Sequence, residues 1–371
     1  MHILLAPDSF KESLSAKQVA EALKKGFQEA LPDATFDLLP IGDGGEGTME
    51  TLARVLNVTE YQTQVTGPFG QPVLMSYYQK DEMAFFELAS LVGLGSIPAE
   101  KRNPLELETR GIGELILQLV DQGVKTICVG IGGSATNDGG IGMAAGLGVA
   151  FYDDQDHLLR PVGASLGRVA RIDTSAVPNA LQDIDLQVLT DVTNPLCGSQ
   201  GATYVFGGQK GLNPLLFPAV DQAMKDFYQL VDARILSMAG AGAGGGMAAG
   251  LVAFAGGKIS SGIEKSLDLI DFDRKVQKAD LVVVGEGRMD LQSLSGKAPV
   301  GVAKRTPEKI PVIAICGSLS EDLPTFPSQN IDAAFSIVPG PCEVADALAH
   351  AERNLISCAR NIGNLLKMKA N

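Results

Sequence analysis

Histidine is almost missing from this chain: there are three in 371 residues. His2, His157 and His350 sit in no polar constellation and read as solvated or capping groups. With no G-x-S-x-G segment either, a Ser-His-Asp hydrolase is excluded. Cations are outnumbered, 30 Lys and Arg against 43 Asp and Glu, for a net charge of −13. No basic stripe offsets the repulsion from phosphates, so nucleic acid is excluded as a partner. The five cysteines (Cys128, Cys197, Cys316, Cys342, Cys358) form no close pair and no metal-type spacing. Cys128 and Cys316 fall in apolar strand-like runs and read as buried free thiols, which fits a reducing compartment. No apolar run reaches the roughly 18 residues of a membrane span. The opening Met1-His-Ile-Leu-Leu-Ala-Pro-Asp8 lacks the basic region, apolar core and cleavage site of a signal peptide. The expectation is a cytoplasmic protein with no membrane partner. A Walker A sequence is missing too: Ser295-Gly-Lys297 and Gly256-Gly-Lys258 lack the upstream Gly and the following Ser or Thr.

Glycine is abundant, with 43 residues, mostly in tight clusters that suggest backbone lying close to a ligand. The length favours two domains, and an apolar content of 45% supplies their cores. Strands are expected at residues 3–6, 36–40, 126–129, 186–189, 281–284, 312–315 and 334–338. Helices are expected at 15–30 with Ser15 as cap, 48–56, 112–122, 218–238, 300–305 and 343–367. Between them, β-rich runs at 61–66, 73–79 and 83–88, separated by Gly67-Pro68 and Lys80-Asp81, carry a hairpin signature. The expected fold is a two-domain α/β protein. A Rossmann-like parallel-sheet domain is built from both chain ends (residues 1–60 plus 260–371), and a mixed α/β domain (61–259) is inserted in it. One echo stands out: Gly142-Met-Ala-Ala-Gly-Leu147 recurs as Gly246-Met-Ala-Ala-Gly-Leu251. It is either chance among small residues or two Gly-rich loops feeding closely packed small-residue helices that face one cleft.

The chemistry gathers at strand ends. Asp8, Ser9 and Lys11 follow the first strand, and Asp43 and Glu46 follow the second. Asp191, Thr193 and Asn194 follow the strand at 186–189. Glu286, Arg288, Asp290, Ser293 and Lys297 follow the one at 281–284. Open α/β sheets bind ligands at that edge. Carboxylates and amides for Mg²⁺, cations for migrating charge and a carboxylate near an acceptor hydroxyl are the parts that phosphoryl transfer needs. The segment Gly130-Ile-Gly-Gly-Ser-Ala-Thr-Asn-Asp-Gly-Gly140 runs from a strand through a Gly-rich loop into a helix, a form that cradles phosphates. It also matches a loose dinucleotide fingerprint, Gly130-x-Gly132-x-x-Ala135, with Asp153 or Asp154 about twenty residues on. Asn137-Asp138 at the helix entrance tells against a bare pyrophosphate there; either residue could instead be an N-cap.

Five segments together resemble the bacterial-type glycerate kinase family (glycerate 2-kinase). They are Ala6-Pro-Asp-Ser-Phe-Lys-Glu-Ser-Leu-Ser-Ala16, Asp43-Gly-Gly-Glu-Gly-Thr48, the Gly130–Gly140 loop, Asp191-Val-Thr-Asn-Pro-Leu196 and Gly285-Glu-Gly-Arg-Met-Asp-x-Gln-Ser-x-Ser-Gly-Lys297. The chain departs from the family pattern at Ile41-Gly42, at Thr109-Arg110-Gly-Ile-Gly113 and at Ala239–Gly244. The resemblance implies two α/β domains, one inserted in the other, and phosphorylation of D-glycerate with ATP and Mg²⁺ to give 2-phosphoglycerate. On chemical grounds Asp191, Lys11, Lys297 and Asp43 are the catalytic candidates, and Asp8, Ser9, Arg288 and Glu46 the substrate-binding ones. Gly132, Gly133, Ser134, Thr136 and Asn137 are candidates for the nucleotide, and Asp191, Asn194, Glu286 and Asp290 for the metal. Asp191 serves as base or metal ligand in this reading. Glycerate is the expected small-molecule partner, and a homo-oligomer stays open. Two rival classes also stay open: a nicotinamide-dependent oxidoreductase of a small hydroxy acid, and a non-catalytic carboxylate-binding protein.

Overall fold

In a computed structural model, residues 1–42 and 47–370 are described. In chain order the strands are β1 (His2–Pro7), β2 (Thr35–Leu38), β3 (Thr59–Thr66), β4 (Pro72–Lys80), β5 (Met83–Glu87), β6 (Thr126–Gly130), β7 (Ala150–Tyr152) and β8 (Arg171–Asp173). They continue with β9 (Asp185–Leu189), β10 (Lys258–Ser260), β11 (Leu281–Gly285), β12 (Arg288–Met289), β13 (Val312–Cys316), β14 (Ser318–Leu319) and β15 (Ala333–Ser336). The chain divides into two compact units. One comprises Met1–Asp43, Glu50–Asn57 and Gly262–Asn371; the other comprises Gly44–Met49 and Val58–Ser261.

The first unit holds a five-stranded sheet in the order β15-β13-β11-β1-β2, parallel throughout. Central parallel strands are buried on both faces and so read as unbroken apolar runs; Leu281-Val-Val-Val-Gly285 is buried at every position. Ile3, Leu5, Leu281 and Val283 share a core with Val19, Leu23 and Phe27 of helix Ala16–Ala30 and with Leu355 and Ala359 of helix Ala351–Ala370. Leu4, Val282 and Val284 are equally buried and by alternation belong to the opposite face, where helix Ala298–Arg305 packs on β11 and β1. Ser15 caps helix Ala16–Ala30 as expected: its hydroxyl accepts from Gln18 N, and Gln18 Oε1 accepts in return from Ser15 N at 2.9 Å.

The second unit holds a six-stranded sheet in the order β10-β9-β6-β5-β4-β3. The expected hairpin is present in β3, β4 and β5, which pair antiparallel. Strand β5 then pairs parallel with β6, so the hairpin merges into a parallel block of β5, β6, β9 and β10. The repeated Gly-Met-Ala-Ala-Gly-Leu segments form helices Ile141–Gly146 and Met247–Ala255, which pack on each other. Each is entered through a left-handed glycine, Gly140 (φ +75°) and Gly246 (φ +87°). They meet glycine to glycine: a Cβ on Gly250 would lie 2.8 Å from Gly140 Cα. The echo is therefore a matched pair of close-packed helices.

Two helices differ from expectation. The one expected over 218–238 runs Phe217–Val231 and is followed by a 3-10 turn, Ala233–Ser237. Asp232 leaves the helical region (φ −163°, ψ 105°) and its carboxylate accepts from Arg234 N at 3.0 Å, a local side-chain bond that competes with the helix. The one expected over 343–367 divides at His350 (φ −108°, ψ 9°) into Val344–Ala349 and Ala351–Ala370.

The glycine contact between the paired helices yields a stability test. Gly250→Ala should destabilise the protein by about 1–3 kcal/mol, the usual range for overpacking, read as a lower urea midpoint. An unchanged midpoint would show that the two helices can part without cost.

Candidate active site

In the first unit, β1 and β11 end in register at Pro7 and Gly285, so Asp8 and Glu286 come next on adjacent strands. The chain runs outward from β1 to β2 on one side and from β11 through β13 to β15 on the other. Asp8 and Glu286 therefore stand at the topological switch point, where open α/β sheets take ligands. Asp8 N–H donates to Gly285 O at 2.8 Å, and Asp8 Oδ1 accepts from Ser9 N at 2.6 Å. Glu286 is only 8% exposed. Gly287 runs against the Phe10–Lys11 backbone; a Cβ there would lie 3.4 Å from Phe10 Cα and 3.5 Å from Lys11 N. The segments carrying Lys11 and Arg288 thus run side by side, with both side chains exposed.

Asp290 closes the same turn. Its Oδ1 accepts from Gln292 N at 2.9 Å and Ser293 N at 3.1 Å. Burial pushes its carboxyl up, but the Ser293 N–H and the Lys297 charge outweigh that and hold it below its usual range. Lys297 occupies the N-cap position of helix Ala298–Arg305. Asp8, Ser9, Lys11, Glu286, Arg288, Asp290 and Lys297 are thus gathered at one sheet edge. Asp43 and Glu46 lie outside the described residues.

In the second unit the parallel strands end at Glu87, Gly130, Leu189 and Ser260. Asp191 Oδ1 accepts from the Ser261 hydroxyl at 2.9 Å, a bond between the loops leaving neighbouring strands β9 and β10. Asn194 donates its side-chain amide to Gln200 O at 2.8 Å and so closes its own loop. Glu87, which sequence reasoning passed over, accepts from Gly47 N at 3.0 Å and Met49 N at 2.8 Å. It lays a carboxylate on the first turn of helix Thr48–Leu56. Its signal was available: it ends an apolar run, as the other strand-end acids do.

The Gly-rich loop is largely committed to protein partners. Gly132 and Gly133 are partly exposed, whereas Ser134, Thr136 and Asn137 are buried. Ala135 N donates to Val92 O, Leu94 N to Gly133 O, Asn137 N to Pro104 O and Gly139 N to Gly245 O. Asn137 Nδ2 donates to Thr203 Oγ1 at 3.0 Å. Neither Asn137 nor Asp138 is the N-cap, which is Gly140; Asp138 lies two residues before it and accepts from Gly140 N at 3.0 Å and from Thr109 Oγ1 at 2.6 Å. Burial pushes the Asp138 carboxyl up, against those hydrogen bonds. Beneath the loop, Lys210 is only 3% exposed, and its ammonium donates to Thr136 O at 2.7 Å and Ser134 Oγ at 3.1 Å. Sequence reasoning missed it, because a lysine between glycines reads as solvated.

The dinucleotide fingerprint does not hold. The helix after the loop begins only at Ile141, and β7 pairs antiparallel with β8 instead of extending the sheet as a crossover strand. Asp153 is occupied in a turn, accepting from Gln155 N, His157 N and Arg168. Nothing remains to favour a nicotinamide cofactor. Among the described residues, no three His, Cys, Asp or Glu side chains group as a metal cluster.

The sequence model of one family, described as the glycerate kinase family, matches residues 3–367. The chain belongs to that family. Within it, a glycerate kinase from Neisseria meningitidis serogroup B is 56% identical over 368 residues, covering 99% of both chains. A glycerate 2-kinase from Escherichia coli K12 is 41% identical over 373 residues, covering 99% of this chain and 98% of its own. A crystal structure from Salmonella typhimurium LT2, described as a candidate glycerate kinase 2, matches with a TM-score of 0.85 at 41% identity. It covers 100% of this chain, and the match spans 99% of that chain. As a glycerate kinase family member the protein is a phosphotransferase, with the two-domain α/β fold expected.

The burial of the Lys210 amino group has a measurable consequence. Burial pushes Lys210 down from 10.5 to about 7, with the Asp138 charge opposing. Between those values the unfolded chain binds the extra proton and the folded one does not, so this contribution to stability rises with pH. The difference in unfolding free energy, wild type minus Lys210→Met, should therefore grow from pH 7 to pH 9.5 in urea titrations. A difference that stays flat across the window would show that Lys210 keeps its proton when folded.

Proposed function

We propose that this chain transfers the γ-phosphoryl group of Mg·ATP to the 2-hydroxyl of D-glycerate, giving 2-phosphoglycerate and ADP. The observation that carries the reading is that Asp8 and Glu286 directly follow the register pair Pro7 and Gly285 at the switch point of a parallel sheet, in segments that also bring the Lys11 backbone alongside Gly287, next to Arg288. Phosphoryl transfer is chiefly positioning and charge stabilisation, and this sheet edge carries groups of both signs for it.

Each residue has a role its chemistry suits. Arg288 offers an exposed planar fork for the glycerate carboxylate, with Asp8 and Ser9 placed for the hydroxyl groups. Lys11 and Lys297 present compact charges to phosphate oxygens. Gly132 and Gly133, the accessible part of the Gly-rich loop, take the nucleotide phosphates. Asp191, oriented by Ser261, is the candidate base for the acceptor hydroxyl or a ligand to the metal. Carboxylate oxygens fit Mg²⁺, and Asp290, held ionised by backbone N–H groups, is joined by Glu286 as a hard donor. When bound, the metal would neutralise charge on the phosphates. Asn194 is placed less well, since its amide is spent on Gln200 O. Asp43 and Glu46 complete the proposed set from outside the described residues. A cytoplasmic setting accords with free cysteines in the described structure and with no described helix long and apolar enough to cross a membrane.

Purified protein incubated with Mg·ATP and D-glycerate should produce 2-phosphoglycerate by phosphorus NMR, with far less product from glycerol, which lacks the carboxylate. Equal turnover of glycerol, or phosphate on the 3-hydroxyl, would overturn the assignment. Arg288→Lys keeps the charge but loses the fork, so KM for glycerate should rise about tenfold or more while KM for ATP changes little. Lys297→Met should instead lower kcat, because the charge it meets grows in the transition state. The reverse pattern would exchange the two roles.

A further inference from the structure

The Gly-rich loop after β6 is held from two sides. On one, residues 92–94 pair with it through Ala135 N to Val92 O, Leu94 N to Gly133 O and the bridge between Gly93 and Ser134. On the other stands a short segment that no sequence motif marked. Helix Ala202–Phe206 supplies Thr203, whose hydroxyl accepts from Asn137 Nδ2. The 3-10 turn Gly208–Lys210 supplies the ammonium that donates to Ser134 Oγ and Thr136 O. Burying a lysine is costly, because its amino group must either carry its charge out of water or give up its proton. Lys210 offers several donors from one atom, so a single side chain fixes both a side-chain oxygen and a main-chain carbonyl two residues apart. Only Gly132 and Gly133, just upstream of that grip, stay partly exposed.

We propose that Lys210 is a positioning residue for nucleotide binding: through Ser134 Oγ and Thr136 O it fixes the loop so that the N–H groups of Gly132 and Gly133 stay aimed at a nucleotide phosphate. The inference rests on the reading of Gly132 and Gly133 as the phosphate subsite. It acts at one remove, since Lys210 itself is buried beneath the loop. The same segment is tied back toward Asp191, because Asn194 donates to Gln200 O just before helix Ala202–Phe206. Nucleotide and acceptor groups of the second unit thereby share one support.

The test measures the Kd of Mg·ADP by calorimetry, and KM for glycerate and kcat, in four variants of the full chain. Gly132→Val should weaken Mg·ADP strongly, by steric blockade of the subsite. Ser134→Ala, a mild change, should weaken it about threefold to tenfold, the scale of one hydrogen bond, and Lys210→Met by more, with KM for glycerate little changed in both. The double variant Ser134→Ala/Lys210→Met should bind Mg·ADP like Lys210→Met alone, because the two act through one contact. If Gly132→Val leaves Mg·ADP binding intact, the subsite reading fails and this inference with it. If Gly132→Val weakens binding but Ser134→Ala does not, or if the two substitutions are additive, the subsite stands and the role of Lys210 is overturned. Ser134→Ala keeps the question decidable should Lys210→Met not fold.

Discussion

The parallel pairing of β1 with β11 is the contact on which the first unit depends. It joins Ile3 to Leu281 and Pro7 to Gly285, and His2 N donates to Asp280 Oδ2 at 2.7 Å across 278 residues of sequence. Loop-closure entropy grows only logarithmically with length, so an intervening chain of this size adds little cost provided it folds by itself. The second unit is compact and has an apolar core of its own that includes Phe86, Ile116, Val129 and Val188. In the first unit, burial of Ile3, Leu5, Leu281 and Val283 against two helices offsets the closure. The chemical consequence is direct. Asp8 and Glu286 come to adjacent strand ends only because these strands pair, and a chain with its two ends unpaired has no switch point there.

The second unit solves a different problem, that of holding a glycine-rich loop still. Helix Ile141–Gly146 is too short to present a strong dipole, and its first N–H groups are spent on protein acceptors: Gly140 and Gly142 on Asp138, Met143 on Thr109 Oγ1. A carboxylate thus occupies the place where a phosphate would sit in a dinucleotide fold. That is why the glycine pattern alone misleads: its spacing fits a cofactor loop, but Asp138 closes the helix end to anions. Tyr228 adds a further tie, its buried hydroxyl donating to Gly139 O at 2.7 Å. The loop's rigidity comes from buried polar groups that are hydrogen-bonded nearly throughout, the condition under which such networks specify a single conformation.

The parts legible in the sequence were those written in local periodicity. Continuous apolar runs marked β1, β6, β9, β11 and β13, and Ser15 marked a helix start. Acids directly after those runs marked the sheet edge, because chain direction alone fixes which end of a parallel strand bears the site. What escaped depended on contacts far apart in sequence. Lys210 lies 76 residues from Ser134, and nothing in Gly-Gly-Gln-Lys-Gly tells that its ammonium is buried. Glu87 reaches back 40 residues to Gly47 N. The break at Asp232 escaped for the opposite reason: the helical period continues through it, and a single carboxylate bonding the backbone two residues on is enough to end the helix.

An acidic chain that handles anions must create positive potential locally. Net charge of −13 repels phosphate and carboxylate at long range, but salt screens that field beyond about 8–10 Å, so groups near the ligand decide binding. On the proposed reading, three cations take that part without a Walker A lysine. Lys11 and Arg288 are exposed at one sheet edge, with Lys297 at the start of the following helix. Two of them lie within a few residues of an acid: Lys11 of Asp8, and Arg288 of Glu286 and Asp290. Cations set among ionised carboxylates attract a bare anion weakly, and the same carboxylates favour a divalent cation. An anion that arrives with a metal finds both kinds of group satisfied, whereas a metal-free anion faces the acids unshielded. On the proposed reading, the acid-rich strand ends would therefore favour a metal-bound nucleotide over a free one.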